Sequence, residues 1–316
     1  MQKTTLKVAI VQHKPAFLDL EGSLQKIETY ATEAAENGAQ LIAFGETWLC
    51  GYPSWLDYCP EMGLWDYEPT KFVFQKMHES GVEVPGAATQ RLSDLAKKTQ
   101  AIIGIGVNEV VRKGSQQGTI FNSFLLFDQQ GNLVIHHRKL MPTYTEKLLY
   151  GLGDAHGLKA AATPWGNVGG LICWEHWMPL TRQAMHLAGE HIHLALWPKV
   201  HELHQIASRH YAFEGRCFVI AIGQMLQMKD LPNMLKLPEA LANQPEHYLL
   251  NGGSCVVAPD GQYLLAPQFD QEAILYLDIP DLMQVYRERM TLDVTGHYSR
   301  PDIFDFRLKT SSQSRD

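Results

Sequence analysis

The stretch VGGLICWEHWMPL, residues 168–180, joins an apolar run to a polar, aromatic turn, with Cys173 at the junction. A short apolar run bounded by turn signals reads as a buried strand, and a helix near 179–189 follows it. A structural cysteine belongs inside such a run, whereas a thiol at the strand's end can face a cleft and be tuned by charged neighbours. Downstream the alternation continues through IHLALWP (192–198), a helix near 203–216 and FVIAIGQ (218–224). Then SCVVAPDGQYLLAP (254–267) makes a hairpin around Asp260-Gly261, and AILYLDI (273–279) closes it.

Upstream, LKVAIVQ (6–12) leads to a helix near 23–37, with Ser23 as its N-cap and Gly38 as its stop, and then to LIAFGET (41–47). That is a β-α-β unit. AIIGIGVNEV (101–110), SFLLFD (123–128) and LVIHHRK (133–139) come next, the last two joined by a Gly131 turn that fits an antiparallel hairpin. Parallel and antiparallel signals together predict one α/β domain with a mixed sheet. The glycines of GIGVNE (104–109) are no dinucleotide loop, because the third glycine and a capped helix are missing. After about residue 281 the composition changes to a charged helix and a Pro-containing polar tail ending TSSQSRD. That end is a candidate for disorder or for a partner contact.

Composition limits the function. With 316 residues, 45% hydrophobic and 19% charged, the chain can bury one large core or two smaller ones. No stretch approaches the roughly 20 apolar residues of a membrane helix, and the run after MQKTTLK is too short for a signal peptide, which predicts a cytoplasmic protein. A net charge of −7 with scattered Lys and Arg offers no basic stripe for a nucleic acid, so a small-molecule partner is expected. Five cysteines without a CxxC argue against a disulfide framework.

Three reactive side chains stand at strand ends: Glu46 closes LIAFG, Lys139 ends LVIHHR and Cys173 ends GGLIC. In α/β sheets active groups gather where strands give way to loops, so these three can converge. A thiol is a nucleophile once deprotonated, a carboxylate can take its proton, and an ammonium can offset negative charge on a substrate. Two ordinary strand-end charges and a core thiol would leave the same pattern.

FGETWLCGYPSW (44–55), HHRKLMPTYTEKLLYGLGD (136–154) and GGLICWEHWMPLTRQAM (169–185) together resemble the nitrilase branch of the carbon-nitrogen hydrolase superfamily, from Val8 to about Ile279. The resemblance implies a four-layer α-β-β-α sandwich with mixed sheets over residues 1–280, and a C-terminal extension, 281–316, that contacts other subunits and ends in a partly disordered tail. It makes Glu46 the general base, Lys139 the cationic stabiliser and Cys173 the nucleophile, with Glu146 orienting the lysine and the substrate. Cys-Trp-Glu, where amidase-like branches carry Cys-Tyr-Asp, and the GYP after Glu46 point to nitriles. An amidase or a cyanide-degrading enzyme would share the triad, and a non-catalytic binding protein could share the fold. Relatives often carry His at Thr145, Trp at Tyr150 and Gly at Ala155, differences that bear on substrate range and assembly. The resemblance also implies a homodimer or a larger spiral homo-oligomer.

The implied chemistry is attack of Cys173 on a nitrile carbon, hydrolysis of the thioimidate through an acyl-enzyme, and release of ammonia and acid. The N–H of Trp174 is an oxyanion donor in this reading, and neither an organic cofactor nor a metal takes part. Tyr52, Trp174 and Trp197 are the candidate substrate contacts. Trp48, Trp55 and Trp177 read as packing, and Cys50, Cys217 and Cys255 as structural. His201, His204 and His210 in HELHQIASRH look like metal ligands but lack HExxH spacing, and read as surface or loop-packing residues.

Overall fold

The computed structural model describes residues 5–309 apart from 234 and 236; the TSSQSRD tail lies outside the described residues. Strands apolar on both sides build its centre, because a strand covered on both faces needs no polar alternation. In chain order the elements are β1 Leu6–Gln12, α1 Leu20–Glu36, β2 Leu41–Phe44, α2 Glu68–Ser80, α3 Ala87–Thr99, β3 Ile102–Val110, β4 Ile120–Phe127 and β5 Leu133–Arg138. There follow β6 Ala161–Thr163, β7 Gly166–Ile172, α4 Pro179–Leu187, β8 Ile192–Leu196, α5 Glu202–Gly215, β9 Phe218–Ile222 and β10 Met225–Gln227. The chain ends with α6 Glu239–Ala242, β11 Tyr248–Val257, β12 Tyr263–Phe269, β13 Ala273–Ile279 and α7 Gln284–Glu288.

Two mixed sheets form. The first has the order β13-β1-β2-β3-β4-β5; the second runs β10-β11-β9-β8-β7-β6, with β12 paired to β11. In β1 the period of two is visible in the packing: Val8 and Ile10 enter the core between the sheets, while Ala9 and Val11 face the helix side. That outer core is made with Leu24, Ile27 and Ala31 of α1 and Leu92 and Leu95 of α3. On the far side, Met185 of α4 and Tyr211 of α5 pack under the second sheet. The result is a four-layer α-β-β-α sandwich.

Two expectations need correction. Asp19, not Ser23, caps α1, its carboxylate accepting from Gly22 N at 3.0 Å; Ser23 lies inside the helix and donates to Ala16 O at 2.8 Å. AILYLDI does not extend the hairpin before it: β13 crosses to the first sheet and pairs antiparallel with β1, Leu6 opposite Ile279. Leu282 and Val285, beyond the boundary expected at 280, are buried in the main core. The segment after β13 is further tied to its own chain by a 2.8 Å bond between His191 and Tyr286 and by Arg216 donating to Thr291 at 3.2 Å.

Candidate active site

Glu46, Lys139 and Cys173 follow the C-terminal ends of β2, β5 and β7, where both sheets open onto one cleft. Behind Glu46 the chain turns sharply, with Thr47 at φ 45°, and its backbone is held by Trp197 O and by Gln224, whose Nε2 donates to Glu46 O at 2.6 Å. Gly106 of β3 makes that turn fit, since a Cβ there would lie 2.4 Å from Gly45 O and from Thr47 N. Close backbone approach is thus the work of a glycine in GIGVNE. Cys173 itself sits at φ 51°, the left-handed region that costs an L-residue roughly 1–2 kcal/mol and that concentrates at functional sites.

The charged groups meet at the ammonium of Lys139, which is 1% exposed. It donates to Glu46 Oε1 at 2.8 Å and to Glu146 Oε2 at 2.7 Å. Asn122 on β4 donates to the same Glu46 oxygen at 2.7 Å, while Glu46 Oε2 is buried with no hydrogen-bond partner among the described residues. Glu146 also accepts from Tyr52 OH at 2.7 Å and from Thr143 N at 2.8 Å. The Sγ of Cys173 and one oxygen from each of these two glutamates lie within 4.8 Å of one another. Among the described residues this is the one grouping of three metal-ligating residues, and the lysine ammonium already bonds both of its carboxylates.

Burial sets the protonation. It raises Glu46 to about 7, helped by Glu146 and opposed by Lys139. Burial, with Glu46 adding to it, also lifts the Cys173 thiol well above its ordinary value despite Lys139. For Lys139, burial works against the charge but is overcome by Glu146 and Glu46, so its pKa is raised and it remains an ammonium. The resting nucleophile is therefore a thiol beside a carboxylate that titrates near neutrality.

A cleft of about 300 Å³ leads to the thiol, with Tyr52, Trp174, Thr145, Lys199, His201 and His204 among its lining residues. Trp174 is half-exposed there and packs edge-on against Trp177 at 5.2 Å. Trp197, expected beside the substrate, is instead fully buried, stacked on His176 at 4.5 Å, and lines no part of the cleft. Only its carbonyl reaches the site, through Glu46 N. His201 and His204 border the cleft, while His210 is exposed and sits 3.9 Å from Glu214. The five cysteines are all free, and burial raises Cys50 to about 12. Of the variable positions, Thr145 lines the cleft and Tyr150 is buried with its OH on Asn108.

Composition and spacing gave no notice of Asn122, a polar residue within the apolar IFNSFLLF strand, or of Glu175. Glu175 Oε1 accepts from Leu140 N and Oε2 from Ile172 N, both at 2.8 Å, and His137 Nε2 bonds the same carboxylate at 2.9 Å. Burial opposes its charge, but His137 and the two backbone N–H groups hold it below the ordinary carboxylate range. Leu140 and Ile172 are the neighbours of Lys139 and Cys173, so one carboxylate joins the two strand ends that carry them.

Residues 7–288 match the family model described as carbon-nitrogen hydrolase. Over 312 residues the chain is 34% identical to a bifunctional nitrilase/nitrile hydratase of Lupinus angustifolius, covering 97% of this chain and 86% of that protein. It is 35% identical to an aliphatic nitrilase of Sinorhizobium fredii, covering 95% and 94%. A carbon-nitrogen hydrolase from Helicobacter pylori has the same fold, with a TM-score of 0.71 at 20% identity over 95% of this chain and 97% of that one.

Proposed function

The chain belongs to the carbon-nitrogen hydrolase family, and from that premise we propose that it is a nitrilase, converting an organic nitrile to a carboxylic acid and ammonia. The observation that supports the assignment of roles is the buried ion pair of Lys139 with Glu46 and Glu146 beside the Cys173 thiol. As a nitrile enters, Glu46 takes the thiol proton, Sγ bonds to the nitrile carbon and Lys139 faces the nitrogen where negative charge grows; that nitrogen is then protonated, giving a thioimidate. Base and nucleophile act together because the thiolate does not exist at rest.

Glu46 next takes a proton from water, whose oxygen adds to the thioimidate carbon. The tetrahedral intermediate expels its protonated nitrogen as ammonia and leaves a thioester, which a second water hydrolyses to the acid and the free thiol. The carboxylate is needed unprotonated for the first step. With Glu46 raised to about 7, kcat/KM should therefore rise with pH through neutrality and fall as pH drops below it. A pH-independent rate between 5 and 8 would remove Glu46 from this role.

We assign the enzyme to the cytoplasm because five unpaired, buried cysteines suit a reducing compartment; among the described residues no helix is long and apolar enough to cross a membrane. Ammonia release from aliphatic, arylaliphatic and aromatic nitriles, their amides and cyanide tests the function. Cys173→Ala should remain folded and lose at least about a thousandfold in rate, and Glu46→Gln or Lys139→Ala combined with it should cost little more. Hydrolysis of amides alone would make the enzyme an amidase.

A further inference from the structure

Behind the nucleophile runs a row of buried polar groups that the reaction above does not use. Tyr211 OH donates to Glu190 Oε2 at 2.6 Å, Glu190 Oε1 lies 2.9 Å from His193 Nδ1, His193 Nε2 lies 2.9 Å from His176 Nε2, and His176 Nδ1 lies 2.7 Å from Cys173 O. Glu190, His193, His176 and Tyr211 are each at most 2% exposed. The sequence makes room for the carboxyl: a Cβ on Gly169 would fall 2.0 Å from Glu190 Oε1.

With both imidazoles neutral, as their burial favours, hydrogen-bond chemistry gives every bond in this row a direction. A carbonyl only accepts, so His176 carries its proton on Nδ1 and presents a bare Nε2. His193 must then donate from Nε2, which leaves its Nδ1 bare when the ring is neutral. The group facing Nδ1 must supply a proton, so Glu190 is a carboxylic acid. Burial points the same way, holding both imidazoles neutral and raising Glu190 to about 8. All four bonds run in one direction and end on the carbonyl of the nucleophile.

That carbonyl shares a peptide group with Trp174 N–H. In a trans peptide the two point in opposite directions, so a donor that fixes the Cys173 carbonyl in the interior aims the Trp174 N–H away from His176. Pulling electron density toward the oxygen also makes that N–H a stronger donor. We propose that Tyr211, Glu190, His193 and His176 form a positioning relay that orients and polarises the Cys173–Trp174 peptide as an oxyanion donor, with Glu190 supplying the proton that gives the relay its direction. This rests on the nitrilase reading and adds residues to it.

When Glu190 loses its proton the neutral row cannot be satisfied: a carboxylate needs a donor from His193, and moving the His193 proton to Nδ1 sets two bare nitrogens against each other at His176, while an imidazolium at His193 would bond both neighbours but is opposed by burial. The other titratable groups around Glu190 are His186 of α4, Tyr211 of α5 and Cys217 before β9, with Glu214 and Arg289 beyond them. Glutamine at 190 reproduces the acid's bonds, NH₂ to His193 and C=O to Tyr211, yet does not ionise.

The test measures kcat and KM against pH for the wild type, Glu190→Leu, Glu190→Gln and His176→Phe, alongside ring ¹⁵N shifts of histidine-labelled protein. At pH 7, Glu190→Leu and His176→Phe should lose about 10- to 100-fold in kcat with KM within about twofold, because a misaimed oxyanion donor weakens the transition state alone. Glu190→Gln should restore kcat and lack the wild type's loss near pH 8. The ¹⁵N shifts should put the proton on Nδ1 of His176 and Nε2 of His193. Opposite tautomers, or a His176→Phe enzyme with kcat within twofold of wild type, would overturn the relay. A wild type that releases no ammonia from any nitrile would overturn the nitrilase reading instead, and the tautomers would still decide the relay.

Discussion

Glu146 gathers three donors at once: a lysine, a tyrosine hydroxyl and a backbone N–H all donate to it. Its negative charge helps keep Lys139 an ammonium, and so influences where positive charge rests when the tetrahedral intermediate breaks down. Expulsion of nitrogen gives acid; expulsion of the thiolate gives amide. About 1.4 kcal/mol between these barriers changes their ratio tenfold, so Glu146→Gln should lower the rate and raise the amide fraction from a single nitrile, measured by chromatography. An unchanged rate and ratio would place Glu146 outside the chemistry. The reactive residues were legible because a charge or thiol at the end of an apolar run stands out. The roles of Asn122 and of Trp197, the residue after β8, were not: β4 and β8 are buried on both faces, so alternation cannot say which side chain meets the site.

At the scale of elements, the strands with long apolar runs were readable nearly to the residue, β1 and β13 among them, because hydrophobic pattern and turn chemistry are local. The pairing of β13 with β1 was not, since partners at opposite ends of the chain leave no local mark. Sheet order matters for the site, because β5 and β7 lie in different sheets and need something to hold their ends in step. Glu175 does so through Leu140 N and Ile172 N. In Glu175→Gln the amide oxygen can accept from one of them, while the NH₂ leaves the other buried and unpaired at a cost of about 1–3 kcal/mol. Kinetics should show kcat reduced about 10- to 100-fold, and thermal melting a drop of several degrees, because small displacements of reacting groups are expensive. A kcat within twofold of wild type would show that the strand ends stay aligned without this carboxylate.

Across the whole molecule, the outer helices leave apolar surface uncovered. Helices α4 and α5 lie side by side, joined through Glu214 to Arg182 and His186, and present Leu180, Leu187, Leu203 and Ile206, which are 71%, 49%, 60% and 56% exposed. Large apolar side chains exposed on two neighbouring helices suit a partner surface, and we propose that this face pairs two subunits. The segment past α7 carries a second set, with Met290, Tyr298, Ile303 and Phe304 each more than half exposed. In this proposal a homodimer through the helices is extended by the C-terminal segment into larger particles. Truncation must spare Leu282 and Val285, which belong to the core. A chain ended after Leu292 should therefore keep its melting temperature within a few degrees yet elute as a dimer, whereas Leu203→Glu with Ile206→Glu should break the dimer itself. Light scattering separates the two effects. If the shortened chain retains the full particle mass, the C-terminal segment holds no subunits together; if the double glutamate variant remains dimeric, the contact lies on another face.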